Sequence, residues 1–280
     1  MADLSEPASA GSPCLAPGNP APPVDRRRCV VIPSYNNGPR LEQTVREVLA
    51  VWQPVVVVID GSTDGSNIPI VHLAAQEPGL HVLAQPHNTG KGAAVFAAFN
   101  YAVDRGWTNA VVFDADGQHD AADIPKFMEA AGENPTALVL GQPQYGDDAP
   151  LWHIIGHGVA NRLARLETLR PGLGDSLFGL RLYPMLAMIK ALRRIRGGRR
   201  FDFETQAVVR MVWLGVPTMK LPATVRYPKN RVRHFRYLRD NLLLCRVHCW
   251  LLLRSVFIWP KLLWRKLTKA PPFDAAKYRG

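Results

Sequence analysis

Five consecutive β-branched residues, Val55 to Ile59, constrain this chain more than any other stretch. A strand with one face in water alternates apolar and polar residues. An unbroken apolar run must be covered on both faces, as in a parallel sheet flanked by helices. The surrounding sequence follows the same plan. Cys29 to Ile32 reads as a short buried strand ended by Pro33, and Pro39 to Val51 carries apolar residues at helical spacing. Strands are expected at Leu80–Ala84, Ala110–Phe113 and Ala137–Gly141, with helices over Lys91–Val103 and Ile124–Ala131. Strands alternating with helices through short connections define an α/β fold with a mostly parallel central sheet flanked by helices. Beyond it, helices are expected at Leu151–Leu169, Met185–Arg194 and Phe203–Trp213, and strands near Phe178–Tyr183 and Thr218–Arg226.

Ligands of such sheets bind outside the carboxyl ends of the strands. Polar clusters fall at those ends: Ser34-Tyr35-Asn36, Asp60-Gly61-Ser62 and Asp114-Ala115-Asp116. The last is the sharpest, because two carboxylates one residue apart reach one crevice. Hard divalent cations such as Mg²⁺ or Mn²⁺ are held by one or two such carboxylates together with substrate phosphates.

Four blocks, VVIPSYNN (Val30–Asn37), VVVIDGSTDGS (Val56–Ser66), HNTGKGAA (His87–Ala94) and VFDADGQH (Val112–His119), resemble family 2 glycosyltransferases of the GT-A fold. Within that family, DSLFGLRLYP (Asp175–Pro184) and FDFET (Phe201–Thr205) are similar to dolichyl- or polyprenyl-phosphate sugar synthases. The resemblance implies a nucleotide-sugar donor and a Mg²⁺ or Mn²⁺ cofactor. Pro33, Tyr35 and Asn37 would border the nucleobase, and Asp60 would meet the nucleoside. Asn88, Gly90 and Lys91 would form a loop whose N–H groups and ammonium face phosphate. Ala115 and Gln118 would line the crevice, with Asp114 near the ribose and Asp116 as principal metal ligand. Two departures stand out. Ile59 occupies a position where relatives commonly have a second Asp, and Asp120 one where they often have Pro.

The same resemblance puts Asp175, Arg181 and Asp202 in the catalytic region. Arg181 could fork a phosphate or pair with Asp175. Asp202 would take a proton from a hydroxyl acceptor; a lipid-phosphate acceptor is already ionised and needs no base. The basic run Arg193, Arg194, Arg196, Arg199 and Arg200 around Gly197-Gly198 is a candidate clamp for an anionic group.

The charge of the chain is uneven. Its 34 Lys and Arg against 23 Asp and Glu give a net charge of +11. From Ala223 to Gly280 there are 14 basic residues and only Asp240 and Asp274 on the acidic side, so the preceding residues are close to neutral. In this tail Arg236, Arg239, Arg246, Arg254, Lys261 and Arg265 recur at helical spacing, with Leu242, Leu244, Val247, Leu251, Val256 and Ile258 opposite. One or two helices broken at Pro260 are expected. Arg246, His248 and Arg254 make Leu242–Trp259 a poor membrane span. A cationic stripe beside Trp250, Trp259 and Trp264 instead suits a helix lying in an anionic membrane surface; packing on the catalytic domain is the alternative.

The sequence therefore divides into a Pro- and Ala-rich leader (1–27) expected to be disordered, a catalytic domain (28–228) and a basic amphipathic region (229–280). No helix-turn-helix or zinc pattern supports a nucleic-acid partner, and no GxGxxG follows the first strand. Cys14, Cys29, Cys245 and Cys249 form no disulfide framework, and no secretory signal is expected, which fits a reducing compartment. The expected activity is metal-dependent, inverting sugar transfer to a lipid or polyprenyl-phosphate acceptor by a peripheral protein on the cytosolic membrane face. Transfer to a soluble or protein hydroxyl, or a non-catalytic membrane scaffold, remain as alternatives.

Overall fold

The structure, a computed structural model, describes residues 25, 27–146, 151–192, 202–226, 237–269 and 273. Of the leader only Asp25 and Arg27 are described, and the arginine run 193–200 lies outside the described residues. Seven strands form one sheet: β1 (Arg28–Ser34), β2 (Val55–Asp60), β3 (Leu80–Gln85), β4 (Asn109–Val112), β5 (Leu138–Gln144), β6 (Arg181–Pro184) and β7 (Thr218–Thr224). Their order is β3-β2-β1-β4-β6-β5-β7. All neighbours are parallel except β6, which runs antiparallel to both β4 and β5.

The apolar run Val55–Ile59 is buried on both faces. Val55, Val57 and Ile59 of β2 enter one core, with α1 (Pro39–Leu49), α2 (Asn67–Ala74) and α4 (Ile124–Glu133). Val56 and Val58 enter the other, beneath α3 (Lys91–Asp104), α5 (Leu151–Thr168), α6 (Met185–Leu192) and α7 (Phe203–Leu214). Strand β1 splits likewise, with Val30 and Ile32 on one side and Cys29 and Val31 on the other. Period-two geometry sends alternate side chains to opposite helical layers, so no position is left for a polar residue.

Three expectations are corrected. Pro33 does not end the first strand. It stays in register opposite Val58 of β2, where parallel pairing tolerates it and the strand ends a residue later. Helix α2 was not anticipated; its apolar residues follow no clean period, and Ile68 and Val71 remain exposed. The C-terminal region forms a single helix, α8 (Tyr237–Leu267), which continues through Pro260.

Helix α8 is also not detached from the catalytic domain. Val247, Leu251 and Leu262 join the core beneath α7. The His248 ring and Glu167 of α5 are 2.7 Å apart, Trp259 Nε1 donates to the Leu166 carbonyl and Arg265 to that of Trp213. Its apolar residues thus divide between an inner face on the domain and an outer, exposed face holding Leu242, Leu253, Val256, Phe257 and Trp264. Cys245 and Cys249 are exposed, whereas His248 is turned inward. By length and composition Asn241–Leu267 is apolar enough to cross a membrane, contrary to the expectation from its arginines. It is also tied to α5 and α7.

Candidate active site

The three polar clusters meet at the carboxyl edge of β2, β1 and β4, where the strand order reverses. The loops after β1 and β2 are bound together. Asn36 N–H donates to Ser62 Oγ, Thr63 N–H to Asn36 Oδ1 and Gly38 N–H to Asp64 Oδ2. Ser34 Oγ and Tyr35 N–H both donate to the buried Asn37 Oδ1. This leaves Tyr35 half-buried on the rim, with Pro33 behind it inside the strand.

Asp60 occupies the end of β2 and is buried. Its Oδ1 accepts from Thr89 N–H at 2.8 Å and Thr89 Oγ at 2.9 Å, and its Oδ2 from Gly90 N–H at 2.8 Å. Of the amides expected to face phosphate, that of Gly90 is therefore bound by Asp60 within the chain, together with that of Thr89, while Asn88 is exposed at the tip. Gly61 adopts φ 65°, and a Cβ there would run into the backbone of His87 and Asn88. The two loops thus form one packed floor, with Gly90 leading into α3. Ile59, in place of a second carboxylate, is part of the core.

Lys91, the first residue of α3, reaches across the crevice. Its Nζ lies 2.5 Å from Asp114 Oδ1 and 2.6 Å from Glu204 Oε1 of α7. Burial alone would lower its pKa, but the two carboxylates outweigh burial and hold the ammonium above the usual lysine range. Burial raises Asp114 too, yet Lys91 and His119 bring it well below the ordinary carboxylate range. The His119 ring is wedged edge-on between Phe113 and Phe178, with Nε2 3.4 Å from Asp114 Oδ2. Gly179 backs this cluster; a Cβ there would collide with the Asp114 carboxylate and crowd His119.

Asp116 differs from Asp114. Its Oδ1 accepts from Gln118 N–H at 3.0 Å, and no cation is paired with it among the described residues. Burial and the neighbouring Asp114 charge push its carboxyl up. Half-buried and without a direct ion-pair partner among the described residues, this group would be relieved by a cation. No cluster of three or more His, Cys, Asp or Glu is assembled among the described residues. The donor set therefore fits a hard divalent ion held by Asp116, with Asp114 adjacent and substrate phosphates completing the shell. The buried Ala115 separates the two carboxylates.

Asp120 closes the far edge. It caps the turn at Ala121–Asp123 by accepting from Ala122 N–H, and it pairs with Arg226 at 2.5 Å. A proline here would delete this ion pair to Arg226, just beyond β7.

The residues expected on the acceptor side are placed deeper. Asp175 Oδ1 accepts from Leu177 and Phe178 N–H, and Oδ2 lies 2.9 Å from His157 Nδ1 and accepts from Asn161, both on α5. Burial raises Asp175, but these bonds outweigh it and bring its pKa down to about 2. Arg181 is fully buried and is not paired with Asp175; its Nη1 donates to the Glu204 carbonyl at 2.8 Å. Asp202, at the start of α7, is buried and accepts from Gln206 Nε2 at 2.8 Å. Thr89, His157 and Asn161 complete the framework without having been singled out from sequence. Each is an ordinary polar residue whose partner lies at least 14 positions away.

Known proteins resemble this chain in sequence and in fold. The profile of "Glycosyl transferase family 2" covers residues 29–170. The chain is 26% identical over 205 residues to a polyprenol monophosphomannose synthase of Mycolicibacterium smegmatis, covering 71% of this chain and 77% of that protein. It is 34% identical over 117 residues to an undecaprenyl-phosphate mannosyltransferase of Micrococcus luteus, covering 41% of this chain and 47% of the relative. The crystal structure of glucosyl-3-phosphoglycerate synthase from Mycobacterium tuberculosis with Mn²⁺ and UDP-glucose superposes with a TM-score of 0.57. It covers 82% of this chain and 79% of that one at 17% identity, and shares the fold. With a GT-A fold and the family profile covering half its length, the chain belongs to glycosyl transferase family 2.

Proposed function

We propose that this glycosyltransferase moves a sugar, with inversion, from a nucleoside-diphosphate donor to a lipid-phosphate acceptor on the cytosolic face of a membrane. The observation that carries this reading is the Asp116 carboxylate, pushed up by burial and by Asp114 and holding no ion pair among the described residues, beside Asp114 and its Lys91 tether. Such a site suits the diphosphate of a donor arriving with Mg²⁺ or Mn²⁺. The named relatives act on polyprenyl or undecaprenyl phosphates, and the fold neighbour was crystallised with Mn²⁺ and UDP-glucose.

In this reading Pro33, Tyr35 and Asn37 border the base. Asp60 orders the Asn88–Lys91 loop, and Asp114 faces the ribose across Ala115 and Gln118. The bound ion would supply charge neutralisation at the departing diphosphate. The acceptor oxygen forms the new bond to the anomeric carbon as the bond to the donor diphosphate breaks and the nucleoside diphosphate leaves. A phosphate acceptor is already ionised, so Asp202 need not remove a proton. Bonded to Gln206, it orients the start of α7 near the acceptor. Arg181 fixes Glu204 through its carbonyl, and Asp175 fixes the loop bordering Asp114. The outer face of α8 rests on the anionic membrane surface.

The deciding experiment is a donor screen by nucleotide release, with Mg²⁺, Mn²⁺ or chelator and isolated membranes as acceptor, followed by mass spectrometry of the lipid fraction. A metal-dependent glycosyl lipid is expected. Transfer confined to water-soluble acceptors would overturn the lipid assignment, and absence of metal-dependent donor binding would favour a scaffold.

A further inference from the structure

Asp114 and Asp116 stand one residue apart, yet the chain treats them differently. Lys91 Nζ lies 2.5 Å from Asp114 Oδ1, and the His119 Nε2 atom lies 3.4 Å from Oδ2. Both oxygens of Asp114 therefore face a group of the chain itself. Asp116 accepts from the Gln118 N–H and holds no ion pair among the described residues. A Mg²⁺ or Mn²⁺ ion thus meets one carboxylate without a counter-cation and one that already has its own.

Lys91 also has a second, deeper partner. Glu204 Oε1 lies 2.6 Å from the same Nζ, and its side chain is 7% exposed against 23% for Asp114. Arg181 Nη1 donates to the Glu204 carbonyl at 2.8 Å and fixes the backbone there. The first turn of α7 puts this carboxylate at the positive end of a helix dipole. Glu204 Oε2 is buried and has no hydrogen-bond partner among the described residues, so Glu204 keeps acceptor capacity to spare. A lysine ammonium is a point charge on a flexible stem, and it can pivot between two acceptors without moving its backbone.

Resting on the metal and nucleotide-donor reading above, we infer that Lys91 is a counter-cation that a divalent ion must displace from Asp114, and that Glu204 is the positioning residue that keeps the displaced ammonium in the crevice. Two cations on Asp114 Oδ1 would repel strongly at such short range. Metal alone gains Asp116 but must break an ion pair to gain Asp114. With a donor diphosphate the exchange is offset, because the ammonium leaving Asp114 meets a phosphoryl oxygen while still bound to Glu204. Metal and nucleotide therefore bind together, and free metal is held weakly.

The test measures Mn²⁺ binding to the full chain by electron paramagnetic resonance, which reads free Mn²⁺, alone and with UDP, GDP, CDP and ADP in turn. Circular dichroism confirms that each variant is folded. The wild type should bind Mn²⁺ at least about tenfold more tightly with its nucleotide than alone. Lys91→Met should bind Mn²⁺ alone about tenfold more tightly than the wild type, and this gain should vanish when Asp114 is already Asn. Glu204→Gln leaves the ammonium to Asp114 and should weaken Mn²⁺ binding, an effect lost when Lys91 is already Met. If Lys91→Met does not fold, the double variant Lys91→Met, Glu204→Gln takes its place, with the same gain expected. Absence of the gain overturns the inference. An equal gain in the Asp114→Asn background overturns it too, because the ammonium then acts through its field on Asp116 and not by occupying Asp114. A Glu204→Gln effect that persists without Lys91 overturns the role of Glu204. Wild-type protein that binds none of the nucleotides with Mn²⁺ overturns the underlying donor reading instead.

Discussion

Lys91 Nζ lies 2.6 Å from Glu204 Oε1, joining the first residue of α3 to the first turn of α7 across the crevice. Because the same ammonium also binds Asp114, one side chain sets the spacing of three segments far apart in sequence. A basic residue that would otherwise be free to meet a phosphate is held in place by the chain's own carboxylates.

Removing that ammonium leaves two largely buried carboxylates facing each other. Lys91→Met should cost about 3 kcal/mol of stability, since breaking a buried pair leaves charge uncompensated. Urea denaturation measures this. Adding Glu204→Gln should recover part of the loss, giving a less than additive double mutant.

Asp116 should behave in the opposite way. Its native pKa lies above the unfolded one, so its favourable contribution is present at acid pH and is lost as pH rises through the native titration. Without metal, Asp116→Asn should therefore leave stability unchanged or raised at mildly alkaline pH, while sugar transfer falls at least about a hundredfold. Denaturation at two pH values, with Mn²⁺ titration calorimetry, checks both. Full metal-dependent activity in the variant would refute the assignment of Asp116.

Asp175 gives the reverse pH dependence. Its native value of about 2 lies below the ordinary carboxylate value, so it stabilises the fold above about pH 4 and loses that contribution as pH falls towards 2. The contribution is about 2 kcal/mol. Asp175→Asn should flatten the acid limb of the stability profile over that window, measured by circular dichroism.

Gly179 is required for space rather than for backbone freedom. In Gly179→Ala the new methyl meets the Asp114 carboxylate and the His119 ring, which Phe113 and Phe178 hold in place. Overpacking of this kind costs about 1–3 kcal/mol. Activity should drop more than stability, because the displaced group is Asp114. Steady-state kinetics beside a melting curve separates the two effects.

Much of this protein was legible in its sequence for a simple reason. Period-two burial on both faces permits only apolar residues, so VVVVI and CVVI identify interior parallel strands without further information. Polar residues directly after such strands must lie at the carboxyl edge of the sheet, which located Asp60, Asp114 and Asp116. Partnership was not legible. Asp60 binds the Thr89–Gly90 amides, Lys91 binds Asp114 and Glu204, and Asp175 binds His157 and Asn161. Each charge could as well have faced a ligand. The antiparallel insertion of β6 between β4 and β5 and the inward turn of His248 on α8 were equally hidden. Local periodicity and the covalent order of residues determined the elements and their polar ends. Which charges neutralise one another, and which remain for a ligand, was decided only by tertiary packing, because short-range electrostatics depends on distances that the chain acquires on folding.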